Sequence, residues 1–358
     1  MVKIMYVDKL MSDNDIATYE GEYFNEKYYR GKDKYILKYD DVDVYTKTPN
    51  GNKLLLKIRR KVIDKKYTDL ALESLLEASK KKHENRGAAA GVLDKNKMPN
   101  YIGDFIKPGK FRTGFYSSTS GKKSNQLTSN LSKSNIVGFY DRKERNLKGK
   151  GEPCRLTAFN RDNPILWEQV IPFIEECDKQ FQTLIPDRHK IQKKRAQQTP
   201  EFAIADTAYS TITINYSWRT GLHRDKGDLK EGFGNLIVVE DPTNLNTYDG
   251  CYLGFPQYGV CVDVRSGDYL AMDVHEWHSN TEFKPRKKKI YGNWSNIDID
   301  NHWYLNRLSM VMYLRESMIK CKKTIHNKKV GGDINTIIKQ NLPKKYIEYM
   351  NKMYGMFE

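Results

Sequence analysis

The sequence predicts an α+β protein. Its centre is a β-sandwich or barrel over residues 205–315, with amphipathic helices ahead of it, a β-rich extension at the N-terminus and a helical extension at the C-terminus. Three observations predict this. Short apolar runs broken by Gly, Asp and Pro recur at 211–216, 234–240, 250–256, 260–264, 267–273 and 306–314, the punctuation of sandwich and barrel strands. Residues 164–184 repeat their apolar side chains near helical spacing. Asn50-Gly51 sits between two strand-like runs, as a two-residue hairpin turn requires.

Taken in order, residues 1–75 form the β-rich extension. Tyr35, Ile36 and Leu37, then Val42, Val44 and Tyr45, read as strands, and Leu54, Leu55, Leu56 and Ile58 return after the turn. This piece either packs on the edge of the main sheet or forms a small module. Residues 68–82 form an amphipathic helix with Leu70, Leu72, Leu75 and Leu76 as its apolar face. Its closing Lys80, Lys81 and Lys82 suit the negative end of the helix dipole. The small-residue stretch 83–91 reads as a tight loop or a basic lid. Residues 116–136 are rich in Ser, Lys and Asn and read as a loop. With Arg142, Lys143, Arg145, Lys148 and Lys150 they form a basic tract interleaved with Phe115, Tyr116, Phe139 and Tyr140, a mixture suited to nucleic-acid backbone and bases. The helix at 164–184 contains Pro172, which predicts a kink or break. Residues 187–198 carry Arg188, Lys190, Lys193, Lys194 and Arg195 and offer either a phosphate grip or a solvated connector. Residues 334–357 read as one or two helices divided at Pro343. The divisions are therefore 1–75, 76–320 with its core at 205–315, and 321–358.

The chain has 358 residues and a formal net charge of +16, which favours a polyanionic partner. A lysine-rich solvated surface, as an AT-rich phage or viral genome would encode, gives the same charge. Five scattered cysteines without a Cys-x-x-Cys pair indicate neither a zinc finger nor a disulfide framework. No apolar run reaches transmembrane length, and the N-terminus lacks a signal-peptide core. An intracellular, reducing setting is expected.

The chemistry concentrates in Gly221-Leu222-His223-Arg224-Asp225-Lys226-Gly227-Asp228. At the end of a strand, residues two apart point the same way, so His223 and Asp225 can reach one cation. A second imidazole comes from His275 or His278. Two His and one carboxylate leave three positions open, the ligand set of non-haem Fe(II) oxygenases. A lone His-x-Asp also occurs at hairpin tips; the flanking strands argue against that reading here. Arg307, Ser309, Val311 and Tyr313 share one strand face. An arginine fork and a hydroxyl on that face can hold a carboxylate such as that of 2-oxoglutarate.

The order HRDKGDLKEGFGNL, GDYLAMDVHEWHSN, NRLSMVMYLRE resembles the TET/J-binding-protein family of Fe(II)- and 2-oxoglutarate-dependent dioxygenases. The resemblance implies a double-stranded β-helix (jelly-roll, cupin-like) core braced by helices. It implies His223, Asp225 and His278 as iron ligands, with His278 preferred over His275 because His-x-Asn-Thr is the family's spelling. Arg307 and Ser309 would take the C5 carboxylate of 2-oxoglutarate, and O₂ would be the oxidant. Asp225 favours hydroxylation over halogenation, which uses a small residue there. The implied reaction hydroxylates the 5-methyl group of thymine or 5-methylcytosine in a nucleic acid, DNA in the first place, with the base flipped out at a cost of a few kcal/mol. Asp228 lies where the family contacts the base, and Asn215 is expected to contact the substrate beside it. The His-x-Asp-x-Gly-Asp spelling leans toward thymine. The long spacing from His278 to Arg307 holds a basic, aromatic insert from Lys284 to Trp303. No membrane is expected; the oligomeric state is not read from the sequence, and a monomer is assumed. Three other classes compete: a hydroxylase of protein or small molecules, a nucleic-acid-binding protein with an inactive barrel, and last a zinc hydrolase using the same ligands, in which Arg307 and Ser309 would lack a purpose.

Overall fold

The computed structural model describes residues 2–83, 86–91, 104–105, 130–141, 154–242, 248–285 and 307–318. The chain begins with β1 (Lys3–Val7), α1 (Asp13–Ala17), β2 (Tyr35–Leu37), β3 (Val42–Thr48) and β4 (Gly51–Arg59). Helix α2 (Lys65–Ser79) leads to β5 (Lys82–His83), β6 (Asp104–Phe105), β7 (Asn130–Asp141) and β8 (Cys154–Leu156). Helices α3 (Ala158–Asp162), α4 (Pro164–Leu184) and α5 (Pro186–Ala196) come next. The remaining strands are β9 (Thr211–Tyr216), β10 (Gly234–Glu240), β11 (Tyr248–Gly250), β12 (Leu253–Phe255), β13 (Val260–Val262), β14 (Tyr269–Met272), β15 (Ser279–Asn280), β16 (Phe283–Pro285) and β17 (Arg307–Tyr313).

The major sheet has the order β1-β3-β4-β14-β10-β17-β9-β7-β5, with β6 and β8 also on β7; the minor sheet runs β15-β12-β13-β2. From β9 onward the chain visits the major sheet, the minor, the major, the minor and the major again. That alternation winds it into a double-stranded β-helix. Leu236, Val238, Leu270 and Met272 of the major sheet meet Leu253, Phe255, Val260 and Val262 of the minor one in a single buried cluster.

Residues 1–75 are built into both sheets. β4 pairs with β14 (Leu56↔Met272, Ile58↔Leu270), and β2 pairs in parallel with β13 (Tyr35↔Val260). The β3–β4 hairpin turns at Pro49-Asn50, and Gly51 takes a φ of 106°, open to glycine and strained for other residues. The loop expected over 116–136 is overturned in its last part. Residues from Asn130 belong to β7, which pairs with β9 from Ser134↔Asn215 to Gly138↔Thr211. Ser132, Ser134 and Asn135 are buried there, so side chains that favour turns in isolation serve as small polar packing.

Helices α2 and α4 cover the outer face of the major sheet, burying Leu75, Phe173, Ile174 and Phe181 with Ile212, Ile237, Met310 and Met312. On α2 the buried stripe is Thr68, Ala71, Ser74, Leu75 and Ala78, and the other three leucines expected to form the face only flank it. Small residues let the helix axis come closer than a leucine stripe would. α4 runs through Pro172 without a break, since the ring forfeits one backbone donor while Trp167, Val170, Ile174 and Cys177 stay packed. Ile165, expected in that stripe, is 69% exposed.

Helix α5 is a brace. Gln192 donates to Ala208 O (2.9 Å) and accepts from Phe233 N (3.2 Å), and Arg188 donates to Glu231 O (2.9 Å). Cys177, Cys251 and Cys261 are free and buried. Cys154 is disulfide-bonded, against the expectation from cysteine spacing, which does not report closeness in space. No helix among the described residues is long and apolar enough to cross a membrane. The basic tract at 142–150, most of the insert before Arg307 and the C-terminal helices lie outside the described residues.

Candidate metal centre

Beyond β9 the chain crosses to the minor sheet through Gly221. A Cβ on Gly221 would lie 2.6 Å from Gly21 O and 2.8 Å from Ala88 O, so only glycine fits. Its N–H donates to Ala89 O at 3.0 Å. The small-residue stretch before residue 91 is thus a surface against which this crossing closes. His223 and His278 then form an isolated antiparallel bridge, each N–H donating to the other's carbonyl at 3.0 Å. Asp225 N donates to Val274 O (2.9 Å). Lys53 of β4 bridges Asp273 (2.8 Å) and Glu276 (2.5 Å), which anchors the segment carrying His278.

One ligand atom each from His223, Asp225 and His278 falls within 4.8 Å of the others. The two Nε2 atoms lie 3.7 and 3.6 Å from the two Asp225 oxygens. His223 Nδ1 sits 2.8 Å from Gly221 O and His278 Nδ1 2.9 Å from Glu276 O. A carbonyl only accepts, so each Nδ1 carries the proton and each Nε2 offers a lone pair inward. Burial, reinforced by His278, pushes the His223 imidazole down to about 4. Burial would also lower His278, but its contact with Asp225 holds it above the ordinary value. The Asp225 carboxyl, which burial would raise, is held well below its ordinary range by His278 and His223. The Asp225 side chain is 35% exposed, so the cluster opens to solvent on the carboxylate's side. His275 is elsewhere: its Nε2 faces Leu229 O at 3.2 Å.

The other expected residues share the inner face of the major sheet. Val311 packs into the cluster between the sheets, so Arg307, Ser309 and Tyr313 face inward with it. Register pairs Ser309 and Ser134 with Asn215, and Arg307 with Glu240. Asn215 Oδ1 is buried without a hydrogen-bond partner. Arg307 is 3% exposed and donates from Nε to Tyr248 Oη (2.9 Å). Tyr248 in turn donates to Glu240, which also accepts from Ser266 N (2.8 Å). Asp228 is buried with Oδ2 unpartnered, and burial and the Asp225 charge hold its carboxyl well above the usual range.

Sequence reasoning missed Tyr248, Glu240 and Arg86. Arg86 lies in the field of Asp225, Tyr313 and Arg315, and burial lowers its guanidinium. It donates to Ser134 Oγ at 2.5 Å and has no ion pair among the described residues. The available signal was a single cation leading into Gly-Ala-Ala-Ala-Gly, a stretch with no other side chain able to bind anything.

Fold and cluster together define a class: double-stranded β-helix proteins with a His-x-Asp pair and a distant His brought together beside the inner faces of their sheets. The family model for the Tet_JBP oxygenase domain of the 2OGFeDO superfamily matches residues 135–316, just over half of the chain. The chain belongs to that family, whose superfamily is named for 2-oxoglutarate and Fe(II). It is 30% identical over 207 residues to the bifunctional helicase and thymine dioxygenase JBP2 of Leishmania braziliensis, covering 58% of this chain and 16% of that protein. It is 29% identical over 237 residues to the thymine dioxygenase JBP1 of Trypanosoma brucei brucei, covering 65% of this chain and 25% of that protein. The chain thus spans a quarter or less of these relatives. Among solved structures, NgTET1 in complex with 5mC DNA aligns with a TM-score of 0.43 at 11% identity, over 89% of this chain and 100% of that one.

Proposed function

We propose that the protein is an Fe(II)- and 2-oxoglutarate-dependent dioxygenase that hydroxylates the 5-methyl group of a pyrimidine in DNA. The relatives' activity favours thymine over 5-methylcytosine. The observation that carries this is the approach of His223, Asp225 and His278 within 4.8 Å in the family-matched region. Two nitrogens and one carboxylate suit Fe(II), and both imidazoles are already fixed in the ligating tautomer. The donor set therefore fits the metal, and His223, Asp225 and His278 would hold it. Bound Fe(II) and 2-oxoglutarate supply the oxidising chemistry, leaving orientation and exclusion to the protein.

Arg307 and Ser309 would take the distal carboxylate of 2-oxoglutarate, with Tyr248 and Glu240 fixing the guanidinium. Arg86, which has no ion pair among the described residues, would offer a second cation for an anion near Asp225. Asp228 and Asn215 would contact the base. Burial and the Asp225 charge push the Asp228 carboxyl well above the usual range; its protonated form would offer a donor and an acceptor side by side, which an imide edge such as that of thymine can meet. Replacement of Asp228 by Asn keeps that pair of groups and is expected to retain turnover, whereas Asp228→Leu abolishes it.

The deciding experiment is nucleoside mass spectrometry of thymine-containing and methylated DNA after incubation with protein, Fe(II), 2-oxoglutarate and ascorbate. A 5-hydroxymethyl pyrimidine formed alongside succinate is expected. Consumption of 2-oxoglutarate without any oxidised base would instead indicate a protein or small-molecule substrate. DNA binding by a protein that takes up no iron would indicate an inactive barrel.

A further inference from the structure

Arg224 and Lys226 alternate with His223 and Asp225 along the chain, and both cations converge on the Trp277 indole. The Arg224 guanidinium carbon is 4.5 Å and the Lys226 ammonium 6.0 Å from the ring centroid. Trp277 is itself 4% exposed and immediately precedes His278, so the platform is fixed to the same two segments as the metal-ligand cluster. Among the described residues neither cation has a carboxylate within ion-pair distance. Asp13, whose carboxyl senses Arg224, is already paired with Lys9 at 2.6 Å. Glu20 acts on Lys226 only from beyond ion-pair distance, so the two like charges on one ring lack a paired counter-ion and favour an anion that joins them.

We propose that Arg224, Lys226 and Trp277 form a phosphate-binding site, carried on the same two segments as the metal ligands, that grips the backbone of the substrate strand. A guanidinium lying on an indole keeps its N–H edge free for two parallel bonds to phosphate oxygens, and Lys226 adds a point charge. Phosphate contacts set position rather than sequence. Alternation along this extended segment turns Arg224 and Lys226 to the side opposite the His223 and Asp225 ligand atoms, so the grip holds the strand flanking the extruded nucleotide. On helix α5, the other expected grip, Arg188 and Lys193 are engaged by Glu231 and Asp206, which leaves Lys190, Lys194 and Arg195 there. This site rests on the nucleic-acid reading above and adds to it the groups that hold the strand.

The test is DNA binding by the metal-free full chain, followed by fluorescence anisotropy over a salt series, for wild type and for Arg224→Gln/Lys226→Gln. Each phosphate contact contributes about 0.9 to the slope of log affinity against log salt. The double variant is expected to lose about 1–2 of that slope and roughly tenfold in affinity at 0.1 M salt. Anaerobic Fe(II) and 2-oxoglutarate binding should not change. An unaltered slope in the double variant overturns the site while leaving the DNA reading intact. A wild type that binds no DNA overturns both. Competition by polyglutamate as effective as by DNA of equal charge assigns the cations to an acidic protein partner and overturns the phosphate site.

Discussion

His223 and His278 are two copies of one device: an imidazole whose Nδ1–H is spent on the carbonyl two residues earlier, at 2.8 and 2.9 Å. Each ring is oriented before any metal arrives. His223→Ala is therefore expected to cost more than about 100-fold in Fe(II) affinity, beyond what loss of an outer-shell partner alone costs. The melting temperature of the metal-free protein should change little. A titration showing iron bound as tightly as in wild type would remove His223 from the ligand set. Arg307 is positioned by a different means, a chain through Tyr248 to Glu240. Tyr248→Phe removes one hydrogen bond to a charged group, worth about 1.5–3 kcal/mol. The expected result is a KM for 2-oxoglutarate raised roughly 10-fold or more, with kcat altered less. If KM stays fixed and only stability falls, Tyr248 is packing and nothing else. The His-x-Asp pair was legible because two residue types at one spacing already imply a shared ligand. Arg86 was not, because only the fold brings residue 86 to Asp225.

Between elements, legibility followed burial pattern. β9, β10, β14 and β17 could be read because apolar residues dominate them; β7 could not, because Ser and Asn fill its buried positions. α2 was found but its inward face was misassigned, since small residues gave a weaker signal than the leucines beside them. The lock between the N-terminal segment and β16 was invisible in sequence because its partners lie more than 250 positions apart. Lys284 bridges Glu282 (2.8 Å) and Glu26 (3.1 Å), and Glu26 N donates to Glu282 (3.0 Å). Burial would raise both carboxyls; Arg30 and Lys284 at Glu26, and Lys284 at Glu282, hold them below their ordinary values. A depressed folded-state value means the stabilisation is complete above the unfolded value of about 4.3 and is lost as pH falls through the folded values. Glu282→Gln should lower the melting temperature by about 2–4 °C at pH 7. The gap between variant and wild type should close below about pH 4. A gap that persists unchanged into acid would show that charge is not what the lock supplies.

At the scale of the molecule, the family-matched span 135–316 does not by itself complete either sheet. Both sheets take strands from the first sixty residues: β1, β3 and β4 extend the major sheet and β2 the minor one. Removing them strips the edges of β14 and β13 and uncovers the faces that meet Val42, Val44, Leu55, Leu56 and Ile58. Each such side chain contributes about 1.5–3 kcal/mol on full burial, so the loss is roughly 8–15 kcal/mol. The whole stability of a typical domain is about 5–15 kcal/mol. Lys53 would go too, and with it the anchor on Asp273 and Glu276 that holds the segment bearing His278. A fragment of residues 135–318 should therefore be insoluble or show no cooperative melting, and should bind no Fe(II), while the full chain does both. A soluble, cooperatively unfolding fragment that binds iron would show that the N-terminal strands only decorate the barrel, and that the His278 segment holds its geometry without β4.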